Sequence, residues 1–119
     1  MATQQGTGFD SPDEVRTFPN GSIKLVNLDS GPIGKGTFEP GWRWSNDVKP
    51  IAGTDSCQVL HIGYVLAGRM GVVGDDGSEV EIGPGDVFHL GPGHDAWTVG
   101  DEACEIIDFG GLHGYAIPH

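Results

Sequence analysis

The stretch Gly83–Trp97, GPGDVFHLGPGHDAW, decides the fold. Two Gly-Pro-Gly turns bracket Asp86 to Leu90, whose Val87, Phe88 and Leu90 suit a pleated strand. A strand held between two sharp reversals needs neighbours on both sides, and the flanking sequence supplies them. Ahead of it, Arg69 to Val73 and Ser78 to Ile82 read as a hairpin about Asp75-Asp76-Gly77, because Asp-Gly adopts the positive φ angles that tight turns require. Behind it, Trp97 to Val99 and Glu105 to Phe109 supply two more short strands.

Further out, Ser56 to Leu66 (SCQVLHIGYVL) is the longest apolar segment. Cys57, Val59, His61, Gly63 and Val65 share one face, and Gln58, Leu60, Ile62, Tyr64 and Leu66 the other. With both faces largely apolar, it is expected to be a central strand covered on both sides. Glu39 to Asp55 has two tryptophans and no sustained period, so a long loop is expected, with a strand edge around Trp42 to Trp44. Two strands precede it, one from Gly21 onward and one over Ile33 to Phe38. Ser11-Pro12-Asp13-Glu14 has the form of a capping box, so residues 1–20 read as an arm with a short helical turn. Residues 21–119 then form one domain, an all-β sandwich or barrel.

Six basic and seventeen acidic side chains give a formal charge of -11. Such a surface repels phosphate backbones and anionic lipid, so neither a nucleic-acid nor a membrane partner is expected. No apolar run approaches the length of a membrane span, and MATQQGTGFD lacks the charge and apolar pattern of a leader, so a cytoplasmic location is expected. There the two cysteines, Cys57 and Cys104, would stay thiols, although their pairing depends on a Cα separation that the sequence does not contain. No serine nucleophile elbow, P-loop or dinucleotide fingerprint is present.

The run Tyr64-Val65-Leu66-Ala67-Gly68-Arg69, a hairpin, then Gly83-Pro84-Gly85-Asp86-Val87-Phe88 and a Pro-Gly turn resembles a cupin. PGWRWS at Pro40 to Ser45 and GHDAW at Gly93 to Trp97 are similar to a subgroup of small single-domain cupins. The resemblance implies a jelly-roll barrel, a double-stranded β-helix open at one end, and a homodimer. A typical cupin binds a divalent metal through three histidines and a glutamate. On that pattern His61 falls at the glutamate, Cys57 and Asp55 at the first two histidines, and Ala96 at the last. All four usual ligands are replaced.

Cys57 and His61, four apart on one strand, share the face expected to look into the barrel. Thiolate and imidazole both ligate zinc, iron or copper; His94 or Asp95, from the turn where a cupin's last histidine lies, is the candidate third ligand and Asp55 the fourth. One divalent transition metal (Zn, Fe, Mn or Cu) on Cys57, His61 and His94 is therefore one reading. A second makes His61, beside Asp55 or Asp108, an acid or base without metal. A third makes Cys57 a small core residue and His61 a satisfied core histidine. Trp42, Trp44 and Trp97 are candidates to line the mouth and bind ligand, or else to fill the core or a dimer interface, and Asp55 is a further ligand-binding candidate. For Asp95 a turn cap is favoured, for Arg69 a cross-hairpin pair with Glu79 or Glu81, for Tyr64 packing, and for His89, His113 and His119 exposure.

Two classes of function follow. One is a small enzyme acting on a small organic molecule in the barrel, with Cys57, His61 and His94 at its centre, as an isomerase, lyase, cyclase or metal-dependent oxygenase. The other is a binding or sensing module that holds a small-molecule ligand without turning it over.

Overall fold

A computed structural model describes residues 3–117, so the expectation for His119 lies outside the described residues. Among the described residues nine strands form: β1 (Glu14–Phe18), β2 (Gly21–Leu28), β3 (Gly31–Phe38), β4 (His61–Ala67), β5 (Arg69–Gly74), β6 (Glu79–Ile82), β7 (Val87–Leu90), β8 (His94–Val99) and β9 (Cys104–Asp108). They make a six-stranded sheet ordered β1-β2-β3-β9-β4-β7 and a three-stranded sheet ordered β6-β5-β8, with every pairing antiparallel.

The two Gly-Pro-Gly turns are where the chain changes sheet. β6 and β8 lie in the small sheet and β7 between them in sequence lies at the edge of the large one. The first turn reverses at Gly85 (φ 89°), and Asp86 closes it by accepting the Gly83 amide at 2.8 Å. Only a residue without Cβ takes that φ cheaply. The second turn reverses at Gly93 (φ 86°), whose amide donates to the Cys57 carbonyl at 2.7 Å. The expected hairpin forms with Met70 opposite Ile82 and Val73 opposite Glu79. Alternation along β8 turns His94, Ala96 and Thr98 inward, and Asp95, Trp97 and Val99 outward. The core between the sheets includes Ile23, Phe38, Trp44, Val65, Ile106 and Leu112.

Three expectations are corrected. Glu14–Phe18 is a strand, not a continuation of an N-terminal helical turn, because the ladder to β2 captures the backbone. The Asp13 amide donates to the Leu25 carbonyl at 2.8 Å, and the Asp13 carboxylate accepts the Asn27 amide at 2.7 Å. The first barrel strand thus lies within residues 1–20. The expected loop before β4 contains two short helices, α1 (Trp44–Asp47) and α2 (Lys49–Ala52). Trp44, Val48 and Ala52 recur every fourth residue and are all buried, a helical period too short to register among prolines and glycines. Of the expected strand edge, only a bridge from Arg43 to Trp97 remains. Last, β4 begins at His61, and its outer face, Ile62, Tyr64 and Leu66, is exposed in this chain rather than covered.

Candidate metal centre

Cys57 and His94 are cross-strand neighbours: the Cys57 amide donates to the His94 carbonyl at 2.8 Å, and the His94 amide returns to the Cys57 carbonyl at 3.2 Å. His61 is the first inward residue of β4. The pleat therefore turns one thiol and two imidazoles into the same interior space. All three residues are buried, and one potential ligand atom from each lies within 4.8 Å of the others. Cys57 Sγ is 3.7 Å from His61 Nε2.

The far sides of both rings are engaged. His61 Nδ1 lies 2.5 Å from Asp108 Oδ2, and His94 Nδ1 lies 2.6 Å from the Gly91 carbonyl oxygen. A carbonyl only accepts, so His94 carries its proton on Nδ1 and keeps a lone pair on Nε2. An ionised Asp108 imposes the same tautomer on His61. This is the outer arrangement by which proteins orient imidazoles toward a metal. Asp108, fully buried on β9, has its other oxygen fixed by the Gly110 amide at 3.1 Å and the Gly111 amide at 2.7 Å.

Burial dominates the titration of Cys57 and His94. It pushes the Cys57 thiol up to about 11, reinforced by the Asp108 and Asp95 carboxylates. It also holds the His94 imidazole below its ordinary value, with His61 pushing the same way and the Gly91 carbonyl opposing. The thiol therefore stays protonated at neutral pH unless a cation takes its place.

A hollow of about 20 Å³ lies beside His61 and His94 and is walled also by Trp42, Trp44, Met70 and Tyr115, among others; Cys57 lies off its wall. That is room for one ion or water, not for an organic molecule. Trp42 Nε1 and Tyr115 OH are buried with no hydrogen-bond partner among the described residues. Tyr115 closes the hollow from the chain's C-terminal side, its ring centroid 5.5 Å from that of His61, following a 3-10 turn over Gly111–Gly114. Arg16 ties this cover to β1 by donating to the carbonyls of His113 at 2.8 Å and Tyr115 at 2.7 Å. A second, outer cleft of about 400 Å³ lies beyond Leu90 and His94, which wall both spaces; Asp75, Asp76, Glu79 and His89 also line it.

The structure brings Cys57, His61 and His94 together, adds Trp42 and Trp44 to the hollow's wall, and leaves out two predicted residues. Asp55 is fully exposed and pairs with Lys49 at 3.7 Å, because the turn after α2 directs it to solvent. Trp97 stands on the outer face of β8 beneath the Arg43 guanidinium, 4.7 Å from its ring centroid. Asp95 caps, accepting the amides of Ser45 at 3.0 Å and Ala96 at 2.9 Å. Arg69 pairs with Glu81 at 2.9 Å, and His89 and His113 are exposed. Tyr64, expected to pack, is instead exposed on the outer face of β4. Cys57 and Cys104 are both free thiols. Sequence reasoning missed Tyr115, whose signal was only the apolar spacing of Leu112 and Tyr115 within a Gly-rich tail.

No protein-family model matches this sequence, and no curated protein matches it. Solved structures do. A Rhizobium leguminosarum protein of unknown function is 19% identical with a TM-score of 0.59, the match covering 99% of this chain and 100% of that one. The polyketide cyclase RemF of Streptomyces resistomycificus is 16% identical with a TM-score of 0.61, over 89% of this chain and 78% of that one. The cupin domain of Schizosaccharomyces pombe Cnp3 is 15% identical with a TM-score of 0.60, over 87% and 70%. At such identities the likeness establishes the fold, a small cupin-like jelly roll.

Proposed function

We propose that this small cupin-like domain holds one divalent transition metal on Cys57, His61 and His94 and uses it to act on a small organic molecule. The observation that carries the reading is the convergence of three buried ligand atoms within 4.8 Å, with both imidazoles held from behind. One sulfur and two nitrogens are a donor set that zinc accepts well and that copper or iron tolerates. Three protein ligands leave a coordination position open, as catalytic sites do and closed structural sites do not.

Bound there, a divalent ion supplies Lewis acidity. The chain's own residues do the rest. Asp108 and the Gly91 carbonyl fix which nitrogen of each ring faces inward. Trp42, Trp44 and Tyr115 exclude bulk water. The hollow is too small for a substrate body, and the outer cleft is within the size range of ligand sites, so the body of the organic ligand is assigned to the cleft, its reacting end beside His94, which lines both spaces.

The test is elemental analysis of protein purified without added metal, with about one equivalent expected in the wild type and almost none in Cys57→Ala/His61→Ala. Equal metal content in both would remove the reading. A second reading, a ligand-binding or sensing domain without turnover, draws on the same small hollow: a site that admits no substrate atom to the metal binds without reacting.

The chain is further proposed to form a homodimer. Leu60, Ile62, Tyr64, Leu66, Val87 and Phe109 are exposed, and the first four follow one another along β4 and its approach without a charge among them. On a surface of net charge -11, an uncharged face is where a second copy meets least repulsion. No helix among the described residues is long and apolar enough to cross a membrane, and the two free thiols suit a reducing cytoplasm.

A further inference from the structure

We infer that residues 110–116 form a hinged strap over Cys57 and His61, and that an ion enters and leaves the metal centre when the strap opens. The inference rests on the metal reading of Cys57, His61 and His94 and adds the route to them. All three residues are buried, so an ion reaches them only when some part of the fold moves. The outer cleft touches His94 but neither Cys57 nor His61. The strap touches the surroundings of all three. Tyr115 walls the hollow beside His61 and His94 and also a smaller one beside Cys57. Gly111 passes so close to His61 that a Cβ there would meet the His61 ring and the Asp108 carboxylate behind it.

The segment has the features of a hinge. It begins with Gly110-Gly111, and Gly110 stands at φ 148°, which only a residue without Cβ takes cheaply. Both glycines border an outer groove of about 270 Å³ with Leu60, Ile62 and Phe109, so this end has room to turn. Past the hinge, Leu112 packs into the space that Gly34 leaves by having no side chain. Arg16 Nη1 donates to the carbonyls of Leu112 at 3.3 Å, His113 at 2.8 Å and Tyr115 at 2.7 Å. Two features weigh against the closed position. The Tyr115 hydroxyl is buried without a partner among the described residues, and Ala116 sits at φ 56°, a left-handed conformation unfavourable to a residue with a Cβ. Opening relieves both. It also leaves the barrel intact, because neither ladder that holds β4 includes a strap residue.

The experiment mixes chelator-stripped wild-type and Arg16→Met proteins with cobalt(II) in a stopped-flow cell, following the visible ligand-field bands. A second run challenges each cobalt-loaded protein with excess chelator. A gate changes how often the site is reached and not how well it binds. Loss of the charged donor is therefore expected to raise uptake and release rates together by about tenfold or more, with the equilibrium affinity unchanged. Equal rates in the two proteins would overturn the strap and leave the metal reading standing. Faster release without faster uptake would also overturn it, since a merely weakened site behaves that way. Absence of any bound-cobalt spectrum in the wild type would overturn both. Should Arg16→Met fail to fold, Tyr115→Phe decides in the opposite direction. It removes the unpartnered hydroxyl and so favours the closed strap, and both rates should fall severalfold; unchanged rates would overturn the inference.

Discussion

His61 Nδ1 and Asp108 Oδ2 lie 2.5 Å apart in the interior, with the carboxylate fully buried and its second oxygen occupied by two backbone amides. β4 and β9 pair directly, and Gly63 sits opposite Asp108 two residues from His61, so the sheet register itself delivers the acid to the ring. Replacing Asp108 by Asn keeps the size and removes the charge that fixes the His61 tautomer. Zinc affinity, measured by competition with a chromophoric chelator, is expected to fall about 10- to 100-fold. An unchanged affinity would mean that His61 is not a ligand.

The cover over the hollow hangs on one guanidinium. Arg16 donates to carbonyls of Leu112, His113 and Tyr115, and among the described residues no other side chain holds that segment's carbonyls. Arg16→Ala is expected to raise amide hydrogen exchange in residues 110–116 while leaving β4 and β9 protected. Exchange unchanged in that segment would show that Leu112 and Tyr115 hold it by packing alone.

Alkali should destabilise the fold. Burial pushes the Cys104 thiol up to about 12 from an ordinary 9.0, with Glu105 and Glu102 adding to it, and raises the Tyr115 hydroxyl well above its ordinary 10.0. The folded chain keeps both protons where the unfolded chain gives them up. Their contribution is complete below about pH 9 and is lost as the pH climbs toward 12, because the unfolded state then binds fewer protons. Urea midpoints of the metal-free protein should drop steadily above about pH 9, and less steeply in Cys104→Ala. A flat profile would contradict the burial of these groups.

The exposed face of β4 gives a test of association. Val87 is 78% and Phe109 60% exposed, and Val87 lies opposite Tyr64 in the ladder. Sedimentation should find a dimer in the wild type and a monomer in Ile62→Asp, whose charge would be buried against its copy. A monomeric wild type would assign this face to some other partner.

Most of the barrel was legible because glycine and proline mark its turns without ambiguity: the hairpin at Gly77 and the two sheet crossings at Gly85 and Gly93 stand where the sequence put them. Period two likewise placed Cys57 and His61 on one face. Local signals failed where a distant partner overrode them. The capping pattern at Ser11 to Glu14 lost to the ladder with β2, and the alternation that made Tyr64 look packed cannot tell whether a second layer exists. Of the site, Asp55 is only two residues from Cys57, yet it turns out to Lys49. Tyr115 reaches the hollow through a turn made possible at Gly111, where a Cβ would meet the Leu60 carbonyl, the His61 ring and the Asp108 carboxylate. No spacing rule reveals a contact of that kind.

The most direct measurement is anomalous diffraction from crystals of zinc-soaked protein, collected at the zinc absorption edge. The account predicts one strong peak within bonding distance of Cys57 Sγ and of one nitrogen each from His61 and His94. Density with no anomalous signal among those three atoms, at a zinc concentration that saturates the protein's surface sites, would contradict it.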